Sequence, residues 1–384
     1  MPRLLIVVNI PRFFVSHRLP LALAARRAGY EVHVASSEAS GGQHDSASLA
    51  RIRAEGLPFH ALPLAQHGTN PLDEGRLLAT FIGLYRRLQP DLLHHVSLKP
   101  VLYGGLAARL LGLPSVGAMS GLGYVFIGPG WKPRLLRSAI QPALRLALGS
   151  SQSRMIFQNA DDLARFVALG YIHPQRAALI RGSGVDLERF RPAPAPPDGL
   201  PIVLFAGRLM WPKGLGAFVG AARALRGRAR FVVVGYAEAT SPSAVPIEQL
   251  CAWADEGLIE YWGARDDMPA VYAQASVVCL PSTYGEGVPK VLIEAAACGL
   301  PLLTTDTPGC RDICRHESSG LLVPPHDQQA LNAALLRLLD DPALRARLGT
   351  GARTLAEAEF GQERIISQTL ALYAALLGAD PEQV

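Results

Sequence analysis

Short runs of apolar and β-branched residues alternate with longer stretches whose apolar positions recur at helical spacing. Residues 4–8, 31–35, 92–95, 115–118 and 155–158 predict buried strands, with helices between them over 19–28, 72–88, 99–111 and 134–148. Strands that are apolar almost throughout, separated by helices, imply a parallel sheet covered on both faces. The alternation stops at Arg191-Pro192-Ala193-Pro194-Ala195-Pro196-Pro197-Asp198-Gly199. Its prolines fix φ and remove backbone donors, so neither a regular helix nor a central strand can form there. Beyond it the pattern restarts, with strands over 202–206, 231–234, 259–262, 277–280 and 302–304. Helices are predicted over 217–225, 247–254, 288–297 and 329–339, and a last one over 362–377 has no strand after it.

This is the pattern of an α/β chain with two Rossmann-like doubly wound domains, over 1–190 and 201–361, and a Pro-rich hinge over 191–200. The segment 362–384 is expected to pack back across the domain junction. Two such domains place a ligand cleft where the C-terminal ends of their strands face each other.

Length and composition agree with two domains. The chain has 384 residues, more than one hydrophobic core usually supports, and its 49% apolar and 18% charged residues exclude a disordered chain. Five cysteines without framework spacing suit a reducing cytoplasm. The apolar run 4–8 is too short for a signal peptide, since Pro11, Arg12, His17 and Arg18 interrupt it, and no apolar stretch reaches the length of a membrane span. Charge is divided unevenly. Residues 1–190 carry 21 Lys and Arg against 11 Asp and Glu, whereas residues 191–384 carry 16 against 21. A basic first half points to an anionic partner there, such as a membrane surface. The basic and aromatic segment 124–137, running on to Arg145, has the composition to lie on an anionic bilayer. No nucleic-acid-binding motif is present, so nucleic acid is not expected as a partner.

Two motifs carry candidate chemistry. In the first, the predicted strand 202–206 runs into Gly207-Arg208, and Lys213-Gly214 follows just before a helix. A guanidinium and an ammonium at the mouth of a sheet, beside a helix N-terminus, suit a diphosphate. In the second, Glu286-Gly287-Val288-Pro289-Lys290 leads into a helix that carries Glu294. Backbone N–H groups near Gly287, Val288 and Lys290 are expected as donors at that helix start, and the spacing of eight sets the two carboxylates on roughly one side. Carboxylates there suit the hydroxyls of a sugar and a ribose. Cys310, Cys314 and His316 lack the ligand number and spacing of a metal site, and no metal is expected.

Arg208, Lys213-Gly214, Glu286 with Glu294, Ala297-Cys298-Gly299-Leu300-Pro301 and Gly309, in this order and spacing, resemble the C-terminal signature of the family 4 retaining glycosyltransferases of GT-B fold. The resemblance implies that Arg208 and Lys213 bind the donor diphosphate, Glu294 the ribose and Glu286 the transferred sugar, with the loop at Gly263 and Arg265 at the base. It implies no cofactor and no metal. The N-terminal half departs from the usual pattern. The loop after the first strand has no Gly-Gly, and Met119-Ser120-Gly121 stands where many members carry a histidine. Both departures resemble a bacterial subgroup that extends polyprenyl-diphosphate-linked sugars, which makes His17, Arg18, Ser120 and Gly121 candidate acceptor contacts. The expected reaction moves a hexose or N-acetylhexosamine from a nucleotide-diphosphate sugar, with UDP as the expected nucleotide, to a lipid-linked glycan. Retention through front-face substitution is expected, at the inner face of the cytoplasmic membrane. The rival within the same architecture is an epimerase acting on the sugar nucleotide without an acceptor.

Overall fold

The computed structural model describes the chain except residues 39–42, 65–69, 120, 122–130, 195–198, 238–240, 242 and 379–384. The chain divides into two compact units: Met1–Ser183 with Arg364–Val384, and Gly184–Glu363.

The first unit is built on seven parallel strands: β1 (Arg3–Val7), β2 (Glu31–Ser37), β3 (Phe59–Leu62), β4 (Leu92–Val96), β5 (Ser115–Ala118), β6 (Ser153–Phe157) and β7 (Ala177–Leu179). Their order across the sheet is β3-β2-β1-β4-β5-β6-β7. The second holds β8 (Ile202–Ala206), β9 (Arg230–Val234), β10 (Glu260–Tyr261), β11 (Val277–Leu280), β12 (Leu302–Thr305) and β13 (Gly320–Val323), ordered β10-β9-β8-β11-β12-β13. The central strands β4, β8 and β11 are buried along their whole length, as burial on both faces requires. In each sheet the chain runs outward one way and then returns to the other side of its first strand. The reversal falls between β1 and β4 in one unit and between β8 and β11 in the other. Loops diverge at such a point, and a ligand can enter between them.

The predicted strands are present, with ends shifted by at most two residues. Three strands were not predicted: β3, β7 and β13. All three are sheet edges. A half-exposed edge strand lacks the continuous apolar run that marks a central one, and β3 and β7 are only partly buried.

The units do not divide at the Pro-rich segment 191–200. Residues before it fold onto the second unit. Val185 pairs with the backbone on both sides of Gly361, at 2.9 Å to Phe360 O and 2.9 Å from Gln362 N. Phe190 packs edge-on to Tyr272, and Arg353 Nη1 donates to the carbonyls of Phe190 (2.8 Å) and Ala297 (2.6 Å). The chain changes units at Ser183/Gly184 and again at Glu363/Arg364.

The helix Gln362–Leu377 supplies Ile365, Leu370 and Tyr373 to the core of the first unit, among Leu4, Ile6, Leu21 and Tyr30. Tyr373 is fully buried. Replacing Tyr373 with Ala should cost about 3–5 kcal/mol, as for other buried aromatics. Three of the four tryptophans (Trp211, Trp253 and Trp262) lie in the second unit. In urea titrations the substitution should therefore move the far-ultraviolet transition of the first unit and leave the tryptophan-fluorescence transition in place.

Candidate functional site

At the reversal point of the second sheet, β8 ends in Gly207-Arg208 and the chain turns through a short 3₁₀ segment, Trp211–Lys213, into the helix Leu215–Ala224. Gly214 joins the two with φ at 82°, and a Cβ there would lie 1.9 Å from Pro281 O. Only glycine permits both that dihedral and that approach. The contact sets the β8 loop against the β11 loop, and Thr283 N donates to Pro212 O at 2.8 Å. A second close approach supports the far side of the β11 loop. Gly309, with φ at 81°, sits so near the carbonyls of Glu286 and Gly287 that a Cβ would overlap both. Glu286 N donates to Pro308 O at 3.1 Å.

The result is that Lys213 and Glu286 meet. Lys213 Nζ lies 2.9 Å from both carboxylate oxygens of Glu286, and the side chains are 9% and 11% exposed. Ser282 Oγ donates to Glu286 Oε1 at 3.3 Å. Burial pulls the Lys213 ammonium downward in pKa, but attraction to Glu286 outweighs it and the net shift is upward. Arg208 is exposed on the same loop, and its charge acts on both Lys213 and Tyr284. Two cations therefore crowd one side of the site, and a carboxylate faces Lys213.

The second carboxylate stands apart from this pair. Glu294 belongs to the helix Lys290–Ala297, which begins without a side-chain cap from Pro289. Glu286 precedes that helix in a loop, so the spacing of eight is not a helical spacing, and the loop contacts set its direction. Glu294 is buried, accepts from Tyr272 Oη at 3.2 Å, and has Lys290 Nζ at 3.6 Å. Burial raises its carboxyl pKa, and Lys290 and Tyr272 oppose the rise only in part. Tyr272 was not foreseen. It lies 22 residues upstream on a separate short helix, and nothing in the local pattern links it to Glu294.

Gly263 follows β10 and receives Gly235 N at its carbonyl (2.9 Å). Arg265 is exposed and forms a two-point pair with Asp267, at 2.7 and 2.6 Å. Gly287 and Val288 are buried in the β11 loop. The candidate acceptor contacts belong to the first unit. His17 ends the helix Pro11–His17, stacked on Phe13 with ring centroids 4.2 Å apart. Arg18 is buried, and Gly121 has φ at 114°. Ser120 and residues 124–130 of the segment 124–137 lie outside the described residues.

Two family models match, together over most of the chain: Glycosyl transferase 4-like over residues 3–159, and Glycosyl transferases group 1 over residues 200–341. The N,N'-diacetylbacillosaminyl-diphospho-undecaprenol alpha-1,3-N-acetylgalactosaminyltransferase of Campylobacter jejuni subsp. jejuni serotype O:2 is 27% identical over 336 residues, spanning 84% of this chain and 87% of that protein. The D-inositol 3-phosphate glycosyltransferase of Xylanimonas cellulosilytica is 31% identical over 294 residues, spanning 71% and 68%. Among solved structures, Anabaena HepE in complex with UDP-glucose matches with a TM-score of 0.76 at 18% identity, covering 97% of this chain and 100% of that one. That likeness concerns the fold, the two Rossmann-like domains of GT-B.

A buried pair of this kind is costly to break from one side. Lys213→Met and Glu286→Leu should each destabilise the second unit by about 3–5 kcal/mol, and the two combined by much less than their sum. A double-mutant cycle in urea measures this. The raised lysine pKa sets the sign with pH: the pair's contribution is complete below 10.5, the ordinary lysine value, and falls as pH climbs through the higher folded value.

Proposed function

The chain belongs to the group 1, family 4-like glycosyl transferases, and we propose that it moves a hexose or N-acetylhexosamine, with retention, from a UDP-sugar to a hydroxyl of a polyprenyl-diphosphate-linked glycan. The observation that carries the reading is the Lys213–Glu286 pair at the reversal point of the second sheet. A donor diphosphate entering there meets Arg208 and Lys213. Lys213 exchanges a carboxylate for phosphate oxygens, and Glu286 is released toward the hydroxyls of the sugar. Glu294 accepts from the ribose hydroxyls, and the loop at Gly263 and Arg265 borders the base.

Loss of the nucleotide leaves negative charge on the diphosphate and positive charge at the anomeric carbon. Arg208 and Lys213 stabilise the first by fixed charge, the part a divalent metal plays elsewhere, and the reaction is read as metal-independent. Glu286, released from Lys213 toward the sugar hydroxyls, is read as a positioning group rather than a covalent nucleophile. The reaction then proceeds on one face of the sugar, with the departing phosphate taking the proton of the acceptor hydroxyl. The lipid-linked acceptor is supported by the Campylobacter relative, and UDP by the HepE complex. The epimerase reading gains no support, since both curated relatives carry transferase names.

An acceptor of this kind calls for peripheral contact with the inner face of the cytoplasmic membrane. The helix Trp131–Leu148 leaves Trp131, Leu135 and Leu146 at least half exposed, with Arg137 and Arg145 on the same helix. Among the described residues no helix is long and apolar enough to cross a membrane.

The test is nucleotide release from a panel of UDP- and GDP-sugars, with and without a polyprenyl-diphosphate-sugar extract. UDP release that requires the extract and one donor, with the anomeric configuration retained in the product, is the expected result. Release independent of acceptor, or an inverted product, would contradict the reading. Glu294→Gln should weaken UDP binding by roughly 10–100-fold, the loss of hydrogen bonds to a charged group, in calorimetric titration. Its thermal midpoint should not fall. The wild-type carboxylate bears a burial cost at neutral pH that the amide does not.

A further inference from the structure

Among the described residues, no carboxylate pairs with the buried Arg18 of the first unit. Arg18 is 6% exposed, and its Nη1 donates to the carbonyl of its neighbour His17 at 3.0 Å. Its Nε has no partner. Burial lowers its pKa to about 10, which still leaves it charged at neutral pH. A buried cation without an anion is costly, and structures that keep one supply the anion from elsewhere.

Arg18 lines a cavity of about 20 Å³ together with His17, His94, Ser183 and Thr369, closed by apolar side chains that include Ile365. No carboxylate lines it. His94 supplies the second unsatisfied atom. It is 1% exposed, its Nδ1 is engaged by Tyr373 Oη from the C-terminal helix, and its Nε2 has no partner. Burial first, and then the charges of Arg18 and His95, lower its pKa well below the ordinary value, so the ring is neutral and can offer an N–H without adding charge. The helix Leu19–Arg27 starts at the cavity, with Arg18 at its cap position and no side chain capping it, and turns its positive end there. The Arg18 guanidinium and the open Nε2 of His94 thus suit a small anionic oxygen, and the volume admits one such atom.

We propose that this cavity is an oxyanion pocket in which Arg18 and His94 take a phosphate oxygen of the acceptor's diphosphate. The proposal rests on the reading that the acceptor carries a polyprenyl diphosphate. The rest of the phosphate stays at the rim, where His17 and the Gly182-Ser183 turn stand. The C-terminal helix becomes part of acceptor recognition, because Tyr373 fixes the ring of His94 and Ile365 closes the wall.

The probe is inorganic pyrophosphate, titrated into the whole protein at saturating UDP so that the donor site is filled. Thermal midpoints of wild type should rise, and Arg18→Met should weaken the apparent pyrophosphate affinity about tenfold or more, as loss of a charge-assisted bond implies. Arg18→Lys should keep part of it. If Arg18→Met fails to fold, His94→Leu carries the same comparison. An equal response in wild type and variant would mean that the cavity holds water only, and would overturn the pocket. The second arm measures transfer to a polyprenyl-diphosphate-linked acceptor. Arg18→Met should raise the KM for that acceptor and leave UDP affinity unchanged. Pyrophosphate binding lost with the acceptor KM unmoved would overturn the acceptor as the source of the oxyanion. The pyrophosphate arm needs no turnover, so it reads the pocket even if the transferase reading of the acceptor fails.

Discussion

The second unit depends on a lysine and a glutamate buried against each other at the reversal of its sheet. Neither charge is stable there alone, and together they form a two-point contact at 2.9 Å that replaces part of the lost hydration. A buried ion pair is seldom the most stable filling for such a place, so its presence at a ligand entrance argues for exchange: one partner can be traded for an incoming anion. The rest of the local structure serves that contact. Gly214 and Gly309 allow backbone approaches that no other residue permits, and those approaches hold the β8 and β11 loops where Lys213 and Glu286 can touch.

The two units treat buried charge differently. In the second, cation and carboxylate are matched, so on the proposed reading a diphosphate displaces Glu286. In the first, Arg18 is left unmatched beside His94, so an anion would enter without displacing a side chain. The paired arrangement of the second unit lends itself to a ligand that must be both bound and oriented, since on the proposed reading the displaced carboxylate takes up sugar hydroxyls. The unmatched Arg18 of the first unit suits simple anchoring.

Much of the fold was legible because central strands of parallel sheets are apolar on both faces and stand out as runs. The edge strands β3 and β7 were not, since exposure erases that run, and the buried β13 is too short a run to stand out. The division between units was misread for a physical reason. Prolines exclude helix and sheet but do not exclude packing, and the chain before Pro192 is tied down by Arg353, Phe190 and the bridge at Val185. At the site, Lys213 and Glu286 could be named from strand-turn-helix context. Their mutual contact could not, because it comes from loops 73 residues apart in the chain. Tyr272 and the pairing of His94 with Tyr373, 279 residues apart, were beyond local pattern for the same reason.

The structure of the protein with UDP bound tests the exchange most directly. The account predicts Lys213 Nζ and the Arg208 guanidinium on the diphosphate, with Glu286 no longer held by both oxygens. UDP bound in the second unit with Lys213 still paired to both oxygens of Glu286, or bound away from the β8 and β11 loops, would contradict it.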